Sequence, residues 1–155
     1  MRNKPKQRMR IWAMLCHLSA LLAWILVLLL VFIGIPLYLP LNLFAPLMIW
    51  RFQKAKYAWI DFQGKESLNF QISLTFYTLV FIAISLLFVI ASFSLAVTTN
   101  SQVNEVKITL DSLLIAIISL ISLILILQSF LVTFAAIKAY NGEHYRYPLT
   151  IRVLR

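Results

Sequence analysis

One histidine lies inside a long uncharged stretch and is the residue of this sequence best suited to chemistry. His17 follows Cys16 in the stretch 11–50, which contains no Asp, Glu, Lys or Arg. Its imidazole could relay protons, ligate haem or chlorophyll, or form a structural hydrogen bond to another helix. The second histidine, His144, follows the last apolar stretch, so one chain cannot supply two intramembrane histidines. We therefore expect the structural role, with Cys16 as a small apolar neighbour rather than a redox centre.

The other polar residues with a defined spacing lie in two segments beside apolar stretches. The first, 61–71, reads DFQGKESLNFQ, and its aspartate can cap a helix and pair with Lys65 four positions later. The second, 139–152, reads AYNGEHYRYPLTIR, in which Gly142 suits a helix stop and Pro148 favours an extended tail. The candidate interaction residues are His17, Asp61, Lys65, Glu66, Asn69, Gln71, Gln128, Arg146, Tyr147, Pro148 and Arg152.

Two of these candidate positions have a specific expected geometry. Gln128 lies near the middle of a predicted membrane span, where a polar side chain is expected to face the helix bundle or a cavity. At the other position, the tail is expected to fold back so that Arg146 pairs with Glu66. That pair would hold the ends of the third and fourth spans together.

No pattern typical of catalysis or cofactor binding is present. The sequence contains no GxGxxG, P-loop, HExxH or GxSxG motif. All five acidic residues fall outside the predicted spans, so intramembrane carboxylates for coupled proton transport are absent. A single cysteine allows no internal disulfide and no multi-thiolate metal site. We therefore expect no enzyme activity, no cofactor, and no catalytic, cofactor-binding or metal-ligating residues.

The composition predicts an integral membrane protein. Of the 155 residues, 62% are hydrophobic and 12% are charged, whereas soluble domains carry about 45–50% apolar and about 25% charged residues. The mean hydropathy is +0.90. Folded in water, such a chain would expose large apolar patches, so a soluble globular domain is excluded. The low counts of glycine and proline exclude disorder and collagen-like repeats.

Three uncharged stretches predict four membrane spans in a single domain over residues 1–155. An apolar bilayer core of about 30 Å needs about 20 helical residues, and the first stretch is too long for one helix. It is interrupted by Gly34, Pro36 and Pro40. The predicted spans are 11–33, a short proline-broken 41–50, 70–97 and 112–137. The predicted fold is an all-α, four-helix transmembrane bundle with a short interfacial helix before the third span.

The distribution of basic residues predicts the orientation. Every lysine and arginine except Lys107 lies on one side of this four-span arrangement. By the positive-inside rule that side is cytoplasmic, and both termini are therefore cytoplasmic. The formal net charge of +9 is then mainly an orientation signal. The predicted location is a bacterial inner (plasma) membrane or a cyanobacterial thylakoid membrane.

Small residues recur at helical spacing in the last two predicted spans. In the third span they are Thr78, Ser85, Ser92 and Ala96. In the fourth they are Ser112, Ala116, Ser119, Ser122, Ser129, Thr133 and Ala136. Small side chains let helix backbones approach closely, which favours helix association in lipid. We expect them to pack inside the four-helix bundle; the alternative is a docking face for another membrane protein.

The two polar segments resemble a family of small bacterial and cyanobacterial membrane proteins of unknown function. That family is related to the twenty-kilodalton-class membrane subunit of the chloroplast Tic import translocon. Its members typically read DEHG[KR]EALNFQ before the third span and NGxxYRYPLTIR at the C-terminus. This sequence matches the first motif except at Phe62, Gln63 and Ser67, and matches the second almost throughout. The resemblance implies four spans with both termini inside and, by analogy, a contribution to a protein-conducting pathway.

These observations lead to two functional expectations. The first is a non-enzymatic, multi-pass accessory subunit or assembly factor of a larger membrane complex. The alternative is a Tic-like protein-translocation or channel component, with a polar path lined by His17, Asn69, Gln71, Gln128 and serines. The expected partners are the lipid bilayer and either another membrane protein or further copies of this chain. No nucleic acid is expected, because topology already accounts for the basic charge.

Overall fold

The computed structural model describes residues 5–34, 41–98 and 103–155, and these form four α-helices. Helix α1 is Gln7–Phe32, α2 is Leu41–Gln53, α3 is Ala58–Thr98 and α4 is Val103–Tyr140. The described residues contain no strand. A helix bonds its backbone groups internally, which is what an apolar segment surrounded by lipid requires.

Three of the described helices are long and apolar enough to cross a membrane. The qualifying segments are Gln7–Leu26, Ala58–Leu95 and Lys107–Tyr140. Helix α2 has 13 residues, which at 1.5 Å per residue makes it about 20 Å long. An apolar core is about 30 Å thick. The all-helical membrane fold is therefore confirmed, whereas the second predicted span is a helix too short to cross an apolar core by itself.

The region between α1 and α2 contains the predicted chain breaks. Gly34 follows the end of α1 with a φ of +83°, a backbone conformation that glycine adopts without the cost a side chain would add. Pro36 and Pro40 lie outside the described residues. Pro46 lies within α2 and is buried, yet the helix continues through it. Helices α1 and α2 pack against each other.

The segment before the third span is not a separate interfacial helix. Residues 61–71 belong to α3, which runs without interruption for 41 residues. The prediction of a short separate helix is therefore wrong. No proline occurs between Ala58 and Thr98, so every residue there can donate its helical hydrogen bond. A break in the helix would leave some of these backbone groups without a partner.

Helix α4 ends in a glycine cap, as the sequence predicts. The Gly142 N–H donates to the Ala139 carbonyl at 3.1 Å, and the Glu143 N–H donates to the Lys138 carbonyl at 2.9 Å. With a φ of +78° at Gly142, these bonds form a Schellman motif. A Cβ added to Gly142 would lie 3.1 Å from Cδ of Pro5, so the N-terminal segment lies against this cap.

The starts of α1 and α3 and the end of α4 lie at the same end of the molecule. Arg10 donates from Nη1 to the Tyr140 carbonyl at 3.3 Å. Ser67 of α3 donates from Oγ to the Cys16 carbonyl of α1 at 2.9 Å. Helices α1 and α3 therefore begin, and α4 ends, at the same end of unit 1.

The chain divides into two compact units. Unit 1 contains Met1–Leu74 and Ser129–Arg155, and unit 2 contains Thr75–Gln128. The contacts described below as the candidate site lie within unit 1. The single integral membrane domain over residues 1–155 stays a prediction.

The two rows of small residues have different environments within unit 2. The half-buried row on α3 consists of Thr78, Ser85 and Ser92. The exposed row on α4 consists of Ser112, Ala116, Ser119 and Ser122. The expected internal packing is therefore wrong for this part of α4, because larger side chains such as Ile117, Leu120 and Ile124 occupy its more buried side.

Candidate functional site

His17 is fully buried and connects three parts of unit 1. Its Nδ1 lies 2.9 Å from the hydroxyl of Tyr147, and its Nε2 lies 3.0 Å from Oε1 of Gln63. Gln63 in turn donates from Nε2 to the Glu143 carbonyl at 3.1 Å. One imidazole thus joins α1, the start of α3, and residues 143–155, which we call the C-terminal tail.

The amide of Gln63 fixes the direction of these hydrogen bonds. Its Nε2 donates to a backbone carbonyl, so its Oε1 is the atom that accepts from Nε2–H of His17. Nδ1 of His17 is then unprotonated and accepts from the hydroxyl of Tyr147. The bonding pattern assigns the neutral Nε2–H tautomer, with both ring nitrogens engaged.

This geometry supports the structural role of His17 over the other two alternatives. Neither ring nitrogen is available to ligate haem or chlorophyll while both hydrogen bonds are in place. The series of bonds ends on the Glu143 carbonyl, which has no proton to pass on, so it forms no continuous proton relay. Within the described ranges, no group of three or more His, Cys, Asp or Glu residues could hold a metal ion.

Tyr147 anchors the tail in the core of unit 1. Its ring stacks on Phe70 with the centroids 4.1 Å apart and 11° between the ring planes, and the residue is 3% exposed. Burial is the main cause that raises the pKa of Tyr147 well above its ordinary value. The hydroxyl therefore stays protonated and able to donate to His17.

Two polar side chains of α3 hold the backbone of the tail. Oδ1 of Asn69 accepts from the N–H groups of Val153 at 3.1 Å and Leu154 at 2.8 Å, and Nδ2 donates to the Leu154 carbonyl at 2.9 Å. Oγ of Ser73 accepts from the Ile151 N–H at 2.8 Å and donates to the Asn69 carbonyl at 2.7 Å. These bonds fix the path of the tail through its backbone.

Asp61 has two partners where α2 meets α3. It accepts a hydrogen bond from Nε1 of Trp50 at 2.9 Å and forms the predicted ion pair with Lys65 at 2.7 Å. The carboxylate lies within the first turn of α3 rather than at the cap position. In the first turn its negative charge still interacts favourably with the helix dipole. The Trp50 side chain lies against Gly64, where an added Cβ would be 2.8 Å from Cγ. Glycine is therefore required for this close approach.

Glu66 has a different basic neighbour from the predicted one. Nε of Arg152 lies 3.9 Å from Oε1 of Glu66, whereas the guanidinium of Arg146 lies 5.9 Å from the ring centroid of Phe62. The predicted Arg146–Glu66 pair is therefore wrong. The tail turns inward at Tyr147, which leaves Arg146 on the Phe62 side and returns Arg152 towards the carboxylate. Glu66 is 5% exposed, and its Oε2 has no hydrogen-bond partner among the described residues.

The remaining predicted residues lie outside these contacts. Gln71 accepts a hydrogen bond through Oε1 from Nδ2 of Asn42 at 3.3 Å, which links α3 to α2. Gln128 is 2% exposed and belongs to unit 2. Pro148 precedes Leu149, whose φ of 54° lies in the left-handed region. This turn directs the tail back along α3.

Four residues that make contacts in the site are not among the candidate interaction residues: Gln63, Phe70, Ser73 and Trp50. Gln63 stands out in the sequence only as a departure from a family motif. A helical signal was nevertheless available, because Gln63, Ser67, Phe70 and Ser73 are spaced by four, three and three residues and so share one face of α3. All four are buried. No comparable local signal marks Trp50, because its partner Asp61 lies on another helix.

The comparisons with known proteins correct the resemblance stated for the two polar segments. No curated protein and no solved structure matches the chain. A family model does match, and it is a magnetosome membrane protein family rather than one related to the Tic translocon. The Tic-related resemblance is therefore wrong, and neither the Tic-like function nor the thylakoid location has support. The two segments form contacts with each other within unit 1.

The matching family is described as the magnetosome magnetite crystal formation protein family, MamF/MmsF, and its model covers residues 8–154. This range includes α2, α3, α4, all of α1 except Gln7, and all but the last residue of the tail. With three helices of sufficient length and apolarity, the chain is a membrane protein. The match extends over nearly the whole sequence, and the protein therefore belongs to the magnetosome magnetite crystal formation protein family.

Proposed function

We propose that this protein is a non-enzymatic accessory subunit or assembly factor of a larger complex in the magnetosome membrane. In that role it contributes to magnetite crystal formation by binding another membrane protein. Membership of the family supports the magnetosome role, and the three apolar helices support the membrane location. The observation that carries the proposal is the exposed row of small residues on α4.

The row lies on one side of α4 within unit 2. Its members are Ser112, Ala116, Ser119 and Ser122. Their spacing of four, three and three residues keeps them on one helix face. Because lipid chains are as apolar as leucine, association between helices depends on close backbone approach, which small residues permit. This face therefore suits a helix of a partner better than it suits lipid alone.

Two of the three serine hydroxyls of the row are bonded within α4 itself. Ser112 donates to the Ile108 carbonyl at 2.7 Å, and Ser122 donates to the Ile118 carbonyl at 2.8 Å. Serine hydroxyls that bond four residues back along a helix leave no polar hydrogen to be matched across an interface. At these two positions the face therefore offers a shallow surface for packing without a demand for specific hydrogen bonds.

The charge distribution supports the orientation of the subunit. In the sequence, every lysine and arginine except Lys107 precedes α1 or lies in its first turn, lies between the last turns of α2 and the first turns of α3, or follows from the last turn of α4. The contact of Arg10 with the Tyr140 carbonyl joins the first helix to the last at the end of unit 1 where α1 begins. By the positive-inside rule we assign this end, and both termini, to the cytoplasmic side of the membrane.

The test is purification at native abundance of a protein with a bulkier α4 face. Ala116→Leu places a large side chain in the exposed row, and Ala83→Leu makes the same change at an exposed position of α3 as the matched control. After extraction in a mild detergent, bound proteins are identified by mass spectrometry, and magnetite crystals are imaged in cells by electron microscopy. Two differently tagged copies expressed together distinguish self-association from binding of another protein.

The proposal expects a partner that co-purifies with the native chain and with Ala83→Leu and is depleted with Ala116→Leu, together with altered crystals in the Ala116→Leu cells. A monomeric particle with no enriched partner would contradict it. Equal recovery of the partner with both variants would show that the α4 face is not the docking surface.

A further inference from the structure

The part of the C-terminal tail that begins at Tyr147 packs against uncharged parts of α1, α3 and α4. Tyr147 packs with Phe70 of α3 and with Val132 and Ala135 of α4, and it bonds His17 of α1. On each of these helices the contacting residue lies three to seven positions inside the nearest charged residue at this end. At 1.5 Å per residue, Tyr147 is about 5–10 Å deep within the uncharged region.

The tail continues into the uncharged region after Tyr147. Ile151 bonds Ser73, which lies seven residues beyond Glu66, the last charged residue of this part of α3. This corresponds to a depth of about 10 Å. The tail then turns back towards the charged end of α3, because the N–H of Leu154 bonds Asn69, which lies four residues before Ser73. Residues 148–155 therefore form a short strap that runs inward along α3 and back.

Three backbone N–H groups of the strap bond polar side chains of α3. Hydrocarbon offers no hydrogen-bond partner, so non-helical backbone is tolerated at membrane depth only where protein or water satisfies it. Asn69 and Ser73 accept from the N–H groups of Ile151, Val153 and Leu154. Asn69 and Ser73 thus supply the hydrogen-bond acceptors that hydrocarbon would lack.

The side chains of the strap alternate in character. Leu149, Ile151 and Val153 are 88%, 43% and 59% exposed. All three aliphatic side chains are exposed, and we call them the aliphatic row of the strap. Between them, Thr150 is half-buried and Arg152 turns towards Glu66.

The turn at Leu149 gives an independent reason to expect an apolar environment. A leucine with a φ of 54° occupies the left-handed region, which costs free energy for a residue with a Cβ. Its side chain contacts little of the protein, being 88% exposed. In water, exposure of this aliphatic side chain would be unfavourable and would not offset the cost of the turn. In hydrocarbon, the same exposure is favourable.

We propose that residues 148–155 are a lipid-embedded strap: Leu149, Ile151 and Val153 contact acyl chains of the bilayer, and Arg152 and Arg155 reach anionic headgroups. The arginines suit this position because their long apolar stems lie along apolar surface while the charged ends reach the interface. The occupant of the aliphatic row is lipid rather than a protein strand, because the strap directs backbone N–H groups into Asn69 and Ser73 instead of offering them to a neighbour.

Site-directed spin labelling tests this placement. Single cysteines replace Leu149, Ile151 or Val153 in a Cys16→Ala background, and Lys56→Cys, at an exposed position of the loop between α2 and α3, is the aqueous control. Each full-length protein is reconstituted in liposomes of phosphatidylethanolamine and phosphatidylglycerol. The collision rate of the label is measured with oxygen, which concentrates in hydrocarbon, and with a polar nickel chelate, which stays in water. Because the three side chains are exposed, the labels are expected to leave the fold intact.

The proposal expects the ratio of oxygen to nickel collisions to be several-fold higher at all three strap positions than at position 56. A ratio equal to that of the control would place the strap in water and overturn the proposal. Low collision rates with both reagents would show that protein covers the row, and would equally overturn lipid as its occupant.

Discussion

The hydroxyl of Tyr147 lies 2.9 Å from Nδ1 of His17, a residue 130 positions earlier in the chain. Both residues are buried, and the second nitrogen of the imidazole bonds Gln63. The tail is thereby fixed to the first and third helices at one point. Buried polar groups are costly when left without a partner, so this contact requires all three segments to be in place together.

Removal of the Tyr147 hydroxyl should destabilise the fold. Tyr147→Phe keeps the ring stacked on Phe70 but leaves Nδ1 of His17 as a buried acceptor without its donor. The expected cost is about 1–3 kcal/mol, measured as a lower thermal midpoint by near-ultraviolet circular dichroism in detergent micelles. Tyr140→Phe is the matched control, because Tyr140 is exposed and no hydrogen bond of its hydroxyl is described; a change of equal size in both would contradict the assigned role.

The buried hydroxyl also predicts a loss of stability at high pH. The folded-state pKa of Tyr147 is raised above its ordinary value of 10.0, chiefly by burial. Below that value both states hold the proton and the contribution is constant. Above it the unfolded chain loses the proton while the folded chain does not, so stability falls by up to about 1.4 kcal/mol per pH unit. Thermal midpoints measured from pH 8 to about pH 11 should decline less steeply for Tyr147→Phe; parallel curves would contradict the prediction.

The attachment of the tail should depend on Asn69. Asn69→Ala removes three hydrogen bonds to Val153 and Leu154 and should open the tail more often. Trypsin cleavage after Arg152, followed by mass spectrometry, should then accelerate by about ten- to a hundredfold. Asn42→Ala is the control, since it removes one bond at 3.3 Å to Gln71 and none to the tail. Equal cleavage rates in the two variants would mean that Asn69 does not hold the tail.

The approach of α2 to α3 should depend on the absence of a side chain at position 64. In Gly64→Ala the new methyl group would lie 2.8 Å from Cγ of Trp50, and such overpacking costs about 1–3 kcal/mol. The penalty should shrink in a Trp50→Ala background, where the ring is gone. The free energy of unfolding is measured for the native chain, the two single variants and the double variant. Additive losses of stability would argue against the close contact.

The proposed topology predicts which side of the membrane each loop occupies. Lys6→Cys and Lys56→Cys should react with a membrane-impermeant maleimide from the cytoplasmic side, and Lys107→Cys from the opposite side. All three positions are exposed, and the native Cys16 is buried. Labelling of positions 6 and 56 from opposite sides would show that α2 does not complete a return across the membrane.

The helix positions were accessible to sequence reasoning because they follow from composition and local order. Uncharged runs longer than a bilayer is thick predict α1, α3 and α4, and Gly142 marks the end of α4 through its own conformational freedom. The separate interfacial helix was wrong because a polar segment can continue a helix as readily as precede one. The family assignment was wrong, because the model that matches residues 8–154 is that of a magnetosome family.

The partners of individual side chains could not be predicted from the sequence in the same way. Asp61 and Lys65 pair as expected because they lie four positions apart on one helix. Glu66 faces Arg152 rather than Arg146 because the strained turn at Leu149 sets the path of the tail. Likewise, the spacing of small residues identifies a face of α4, but the rotation of the helix in unit 2 decides that this face is exposed.

The sequence by itself determined a membrane protein with three long apolar helices, because hydropathy is a property of each residue. The tertiary structure decided that His17 is buried and bonded to Tyr147 and Gln63, and that Asn69 and Ser73 hold the tail. Those roles depend on contacts across 46 and 130 positions for His17 and 78 to 85 positions for the tail. Such contacts are set by the packing of whole helices, which no local pattern encodes.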